Sequence, residues 1–192
     1  TITLTVTDVN GNTSTCTTTV TVEDNVAPIA NCAAPFTVQL DANGMASITV
    51  GDIENGSTDA CGIVSTTIDV TDFTCADVGA NTITLTVTDV NGNTSTCTTI
   101  VTVEDTVAAI IACPADITVN TLLGECIAVV TYATPIAFDT CGVASVVLTS
   151  GLPSGSQFPV GPNVVEYTAT DVNGNTSVCS FTITVVDNEL PM

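Results

Sequence analysis

The chain has 192 residues and carries 20 Asp and Glu but no Lys, Arg or His, a formal net charge of −20. Nothing in it can neutralise phosphates or adhere by charge to an anionic membrane, so no nucleic-acid partner is expected. Without His or Lys, the Ser/His/Asp, Cys/His and Schiff-base routes to catalysis are closed, and the chain is read as no enzyme. Hydrophobic residues make up 45% and aromatics only 4%. The apolar set is dominated by Val, Ile, Ala and Leu, beside abundant Thr, which suits pleated half-buried strands better than helices. Nine cysteines without any C-x-x-C spacing point to disulfides in an oxidising compartment rather than to zinc. No apolar run is long enough to span a bilayer, so no direct membrane insertion is expected.

In chain order, the first 24 residues read TITLTVTDVNGNTSTCTTTVTVED, and residues 82–105 repeat them with one change, Thr19 against Ile100. A diverged third copy, YTATDVNGNTSVCSFTITVVD, ends at Asp187. Self-similarity at a fixed period of about 80 residues signals a repeat architecture whose unit is one small β-sandwich. Residues 1–24 are therefore expected to be the C-terminal part of a preceding repeat. Residues 25–105 and 106–187 are expected to be complete repeats, and 188–192 the start of the next. Within 25–105, Phe36–Leu40, Ala46–Val50 and Gly62–Val70 read as strands, separated by Asp41-Ala42-Asn43-Gly44 and by the loop Gly51–Ala60. Ile83, Leu85 and Val87 alternate with threonines, as a strand with one buried face requires. Asp89-Val90-Asn91-Gly92-Asn93 supplies a tight turn, and Cys97, Thr99, Val101 and Val103 alternate on the return strand. No helical period of useful length occurs.

The second repeat contains Ala112-Cys113-Pro114-Ala115-Asp116-Ile117, Asp139-Thr140-Cys141-Gly142, and Ser150-Gly151-Leu152-Pro153 with Phe158-Pro159-Val160-Gly161. Tyr167-Thr168-Ala169-Thr170-Asp171 and Cys179-Ser180-Phe181 follow. In this order they resemble the hyalin (HYR) repeat, an immunoglobulin-like extracellular module, over essentially all of 106–187. The first repeat keeps Cys32, Asp59-Ala60-Cys61-Gly62 and the hairpin, but lacks the Cys-Pro pair and the Phe-Pro-x-Gly turn. The resemblance implies an all-β fold of tandem immunoglobulin-like β-sandwich repeats in an extended array. Such acidic arrays also resemble the giant surface adhesins of gliding Bacteroidetes exported by the type IX system. That likeness implies a cell-surface filament acting in cell adhesion and gliding motility.

The immunoglobulin-like topology implied by the resemblance sets the first strand beside the last. It thereby implies the disulfides Cys32–Cys97 and Cys113–Cys179, and with them Cys61–Cys75 and Cys126–Cys141. Cys16 then takes a cysteine upstream of Thr1. Four cysteines per repeat permit three pairings, and these alternatives stay open.

The same topology gathers acidic segments where the chain enters each repeat. For the first repeat these are Glu23, Asp24 and Asn25, the loop with Asp52, Glu54 and Asp59, and the turn with Asp89, Asn91 and Asn93. For the second they are Glu104 and Asp105, Asp139, and Asp171, Asn173 and Asn175. Such oxygen donors suit a hard cation, so Ca²⁺ is the one cofactor expected, stiffening the junctions. The alternative is that Asp-x-Asn-Gly-Asn only caps its own turn. The threonine faces of 1–24 resemble ice-binding ladders but are also the ordinary solvent-side choice on a strand. Asn12, Asn55, Asn93 and Asn175 satisfy the N-glycosylation pattern, and Thr106, in Asp105-Thr106-Val107, fits a bacterial O-glycosylation signal. The expected role is a structural and adhesive stalk whose partners are the neighbouring repeats of the same chain. The rivals are a module recognising a surface or glycan ligand, and a subunit of a self-assembling fibre of several copies.

Overall fold

A computed structural model describes residues 1–190. The expected start of a further repeat at 188–192 is therefore described only as far as Leu190. There Asp187 accepts the Glu189 N–H at 3.0 Å.

The chain divides into two compact units whose limits fall inside the sequence period. The first comprises Thr1–Ala34, Thr49–Val70 and Ile83–Thr99; the second comprises Pro35–Ile48, Thr71–Thr82 and Ile100–Met192.

The second unit contains β9 (Ile110–Ala112), β10 (Ile117–Asn120), β11 (Ile127–Val130), β12 (Ile136–Phe138), β13 (Val143–Ser150), β14 (Ser156–Pro159), β15 (Gly161–Asp171) and β16 (Thr176–Val186). One layer is a four-stranded sheet of order β10–β16–β15–β13. Its edge strand β10 runs parallel to the last strand, Ile117 opposite Ile183, and the other pairings are antiparallel. The β11–β14 ribbon brings Ala128 opposite Phe158, and the β9–β12 ribbon brings Ile110 opposite Phe138. The period of two sends Ala128, Val130 and Phe158 inward against Val165, Tyr167, Phe181, Ile183 and Val185. Tyr132 stands edge-on to Phe181 at 5.0 Å between centroids, and its hydroxyl donates to the Leu152 carbonyl at 2.7 Å. A β13–β15–β16 sheet packed on a β11–β14 pair is the sandwich arrangement of immunoglobulin-like domains.

The same unit holds β3 (Phe36–Gln39), β4 (Met45–Ser47) and β6 (Asp72–Thr74). β3 pairs in parallel with the end of β8 (Thr94–Glu104), from Phe36 opposite Val101 to Gln39 opposite Glu104. β4 pairs with β6, Ala46 opposite Phe73.

The first unit contains the hairpin of β1 (Ile2–Thr7) and β2 (Thr13–Thr18), the one-turn helix α1 (Val50–Ile53) and β5 (Ile63–Ile68). β5 pairs with β7 (Gly79–Asp89), from Ile63 opposite Asp89 to Ile68 opposite Leu85, with a bulge before Ser65. Ile53, Ile83, Leu85 and Val87 are fully buried. The strand expected over Ala46–Val50 stops at Ser47. The Asp52 carboxylate accepts both the N–H and the hydroxyl of Thr49, each at 2.7 Å, and this cap starts α1 instead.

Disulfides join Cys32 to Cys97 and Cys113 to Cys179, and a third joins Cys75 to Cys141 with its Cα atoms 5.2 Å apart. The expected pairs Cys61–Cys75 and Cys126–Cys141 are therefore corrected. Cys61, Cys126 and Cys16 are free and exposed. Strand geometry explains the second correction. The Cys126 carbonyl accepts from Val160 N–H just before β15, whereas Gly142, next to Cys141, accepts from Val172 N–H just after it. An eleven-residue strand keeps its two ends on the order of 30 Å apart. For Cys61–Cys75, the Cys75 sulfur is already taken by Cys141.

Candidate functional site

The site is built around the Asp-Val-Asn-Gly-Asn turns. Asp89 Oδ1 accepts the N–H of Asn91 at 2.9 Å and of Asn93 at 2.8 Å, and its Oδ2 accepts the Asn93 amide at 2.7 Å. Gly92 supplies the left-handed conformation, φ 93°. Asp171 repeats the pattern with Asn173 N–H at 2.9 Å, Asn175 N–H at 2.8 Å and the Asn175 amide at 2.8 Å. Each closing Asn also reaches a short linking segment 69 or 70 residues upstream. The Asn93 amide donates to the Asp24 carbonyl and the Asn175 amide to the Asp105 carbonyl, both at 3.0 Å.

The linker carboxylates cap their own turns, Asp24 on Val26 N–H and Asp105 on Val107 N–H, both at 3.0 Å. Asp59 holds the N–H groups of Cys61 and Gly62 at 2.8 and 2.9 Å, and Asp139 those of Cys141 and Gly142 at 2.8 and 3.0 Å. The Asp24 or Asp105 segment, an Asp-x-Cys-Gly loop and a hairpin turn thus converge in each case.

Burial pushes the Asp89 and Asp171 carboxyls up. The side-chain and backbone donors of the closing Asn outweigh this and hold both below the usual 3.8. Asp24 is lowered first by the Val26 N–H. The Cys61 thiol is pushed above its ordinary 9.0, chiefly by the Asp24 carboxylate beside it, so at neutral pH it is a thiol and a weak nucleophile.

Donor atoms of Asp24, Asp59 and Cys61 lie within 4.8 Å of one another, and so do those of Asp105, Asp139 and Cys141. In the second group the sulfur is bonded to Cys75, so only carboxylate oxygens remain as hard donors. Of the other expected residues, Asn91 and Asn173 join these groups. Asn173 donates to Asp105 Oδ2 at 2.6 Å, and Asn91 lines one recess with Asp24. Glu23 and Asn25 flank Asp24 along a shallow recess that Asn91 closes. Asp52 is engaged in the α1 cap, Glu54 in the N–H groups of Gly56 and Ser57, and Glu104 in the Gln39 amide at 2.7 Å. These three do not join the clusters. The Thr106 hydroxyl donates to the Gln39 side-chain carbonyl at 3.2 Å.

Two features were not read from the sequence. Asp41, Ala42 and Gly44 lie around one small cavity with Asp105, Asp139 and Cys141, and the Thr140 hydroxyl donates to the Ala42 carbonyl at 3.0 Å. The failure of Cys75 to align with Cys126 was the available signal. Phe138 was also passed over: it is 70% exposed beside exposed Ile110 and Ile136.

The fold and its staples define an extracellular, disulfide-bonded all-β sandwich protein. Residues 104–185 match the HYR domain family. The chain is 34% identical over 196 residues to hyalin of Strongylocentrotus purpuratus, covering 96% of this chain and 16% of that protein. It is 32% identical over 195 residues to hyalin of Lytechinus variegatus, covering 97% of this chain and 36% of that protein. It thus spans well under half the length of either relative. Among solved structures, human protocadherin-24 EC1-2 aligns over 86% of this chain and 100% of that one, at 16% identity and a TM-score of 0.39.

Proposed function

We propose that the chain is a structural and adhesive stalk segment of a large extracellular surface protein, with 25–105 and 106–187 as tandem sandwich repeats. The observation that carries this reading is the recurring clip at each entry point, Asn93 on the Asp24 carbonyl and Asn175 on the Asp105 carbonyl. A clipped linker resists bending, as a stalk needs. Amide hydrogen exchange at Val26 and Val107 tests it. Asn93→Ala and Asn175→Ala are expected to speed exchange at the corresponding amide, and unchanged exchange overturns the reading. Catalysis has no part in this role.

Ca²⁺ at the Asp24/Asp59 and Asp105/Asp139 groups is the proposed cofactor, offsetting the acidic charge. The recurrence of equivalent carboxylates supports it, and the turn-capping role already engages one oxygen of each. A thermal melt with Ca²⁺ and then chelator tests it, and an unmoved midpoint sinks the idea. The finer setting we propose is a bacterial surface filament of the gliding, type IX-exported kind, modified at Thr106. Its support is the acidic composition free of Lys and Arg.

One observation favours a second reading as a ligand-binding module or fibre subunit. The β9–β12 ribbon exposes Ile110, Ile136 and Phe138 together, the kind of apolar patch that marks interaction surfaces. Phe138→Ser is expected to abolish self-association or ligand capture on that reading, and to change neither if the ribbon is bare stalk.

A further inference from the structure

The third disulfide joins a cysteine of residues 25–105 to one of residues 106–187, and its surroundings show how a repeat offers a sulfur to the next one. Cys75 follows β6, and Gly44 precedes β4. A Cβ built on Gly44 would lie 2.6 Å from Cys75 Sγ and 3.5 Å from Cys141 Sγ. A side chain at the Gly44 position would therefore collide with the Cys75 sulfur, and its φ of 72° also favours glycine. Glycine at 44 leaves that space to Cys75.

The buried Phe73 and Phe158 superpose the two ladders. Phe73 faces Ala46, and Phe158 faces Ala128. Counting outward along each strand, Cys126 takes the place of Gly44 and Val160 the place of Cys75. The second repeat thus keeps one cysteine on this rung and moves it to the facing strand. Cys126 is exposed and unbonded, and Val160 N–H donates to its carbonyl at 3.2 Å. At the opposite pole, Cys61 occupies the same Asp-x-Cys-Gly loop as Cys141. Asp59 holds that loop through the pair of N–H groups that Asp139 holds in the other.

We propose that Cys126 and Cys61 are the outgoing and incoming halves of the inter-repeat staple that Cys75 and Cys141 complete within this chain. Cys126 takes the Asp-x-Cys-Gly cysteine of a repeat joined after residue 187, and Cys61 takes a sulfur from a repeat joined before residue 25. The array is then a covalent ladder with a disulfide across every junction. This rests on the tandem reading given above. Asp187 already caps Glu189 N–H as Asp24 caps Val26 and Asp105 caps Val107, so the chain after β16 opens as the other two linkers do. Bond formation consumes one small-molecule disulfide. The Cys126 thiolate attacks oxidised glutathione and releases one thiol. The incoming thiolate then displaces the second glutathione, with two protons lost from the cysteines and two electrons gained by the glutathione sulfurs.

The test extends the full chain with a second copy of residues 30–105 after Met192, so that Pro191 and Met192 stand where Pro28 and Ile29 stand in the first repeat. Cys16 and the first-copy Cys61 are replaced by Ala. After oxidation in a glutathione buffer, digestion uses a Glu-directed protease, because the chain offers trypsin no Lys or Arg. Mass spectrometry is expected to find Cys126 linked to the appended Cys61 in monomeric chains. Cys126→Gly is expected to abolish the link, and Cys126→Gly with Val160→Cys, which recreates the Gly44/Cys75 arrangement, to restore it. Cys126 left open to maleimide while the appended repeat forms its own Cys32–Cys97 bond overturns the staple and leaves the tandem reading standing. Dimers bridged through Cys126 also overturn it. An appended repeat that lacks the Cys32–Cys97 bond overturns staple and tandem reading together.

Discussion

Residues 1–24 and 82–105 differ only at Thr19 and Ile100, yet they end in different environments. Both make the same turn. Asp8 N–H donates to the Asn12 carbonyl at 2.9 Å and Asp89 N–H to the Asn93 carbonyl at 3.0 Å. Asp8 Oδ1 accepts Asn10 and Asn12 N–H at 2.9 and 2.8 Å, the distances found at Asp89. Around the turns the likeness ends. Leu4 is 60% exposed and Leu85 is fully buried. β2 stops at Thr18, whereas β8 runs on to Glu104, where β3 supplies a parallel partner for Val101–Glu104. Cys16 is free and Cys97 is bonded to Cys32. The hairpin is thus a local property of its own residues, while strand length, burial and bonding come from what is laid beside it.

The sharpest way to break this comparison is to remove the sulfurs. Cys97→Ala opens a link between cysteines 65 residues apart, and loop-closure entropy sets the expected loss at about 4 kcal/mol in denaturant unfolding. Cys16→Ala is expected to stay within about 0.5 kcal/mol of the parent. Next comes the buried face. Leu85→Ala should cost about 3 kcal/mol from lost burial and the cavity left behind, and Leu4→Ala less than about 0.5 kcal/mol. Equal effects at the two leucines would mean that the first hairpin is covered in solution.

The turn carboxylates give a pH signature. Asp89 has a folded pKa below its ordinary 3.8, so its contribution is fully present above that value. It is lost as pH falls through the lower folded value. Thermal midpoints are expected to drop below about pH 4, and Asp89→Asn is expected to flatten that acid limb more than Asp8→Asn does. The smallest expected effect is a gain. The buried Thr99 hydroxyl has no hydrogen-bond partner, so Thr99→Val should stabilise by about 1 kcal/mol, whereas exposed Thr18→Val should change nothing measurable.

Much of the fold was legible because period-two alternation has one reading. Ile83, Leu85, Val87, Val101 and Val103 are all buried, and the Asp-Val-Asn-Gly-Asn turns sit where Gly92 and Gly174 supply positive φ. The candidate site was legible in part for a related reason: Asp24, Asp59, Asp105 and Asp139 recur at fixed offsets from cysteines and turns. Asp52, Glu54 and Glu104 could not be told from them by type or spacing. Each has a nearby donor that claims it, in Thr49, Ser57 and Gln39 respectively.

The amino-acid sequence by itself determined the repeat period, the all-β character and the turns, because these follow from short-range pattern. Only the tertiary structure decided that Cys75 bonds Cys141, that Gly44 makes room for it, and that Leu85 and Val101 are fully buried. Disulfide choice and burial depend on which distant segments approach within a few ångströms, and local sequence does not encode that distance.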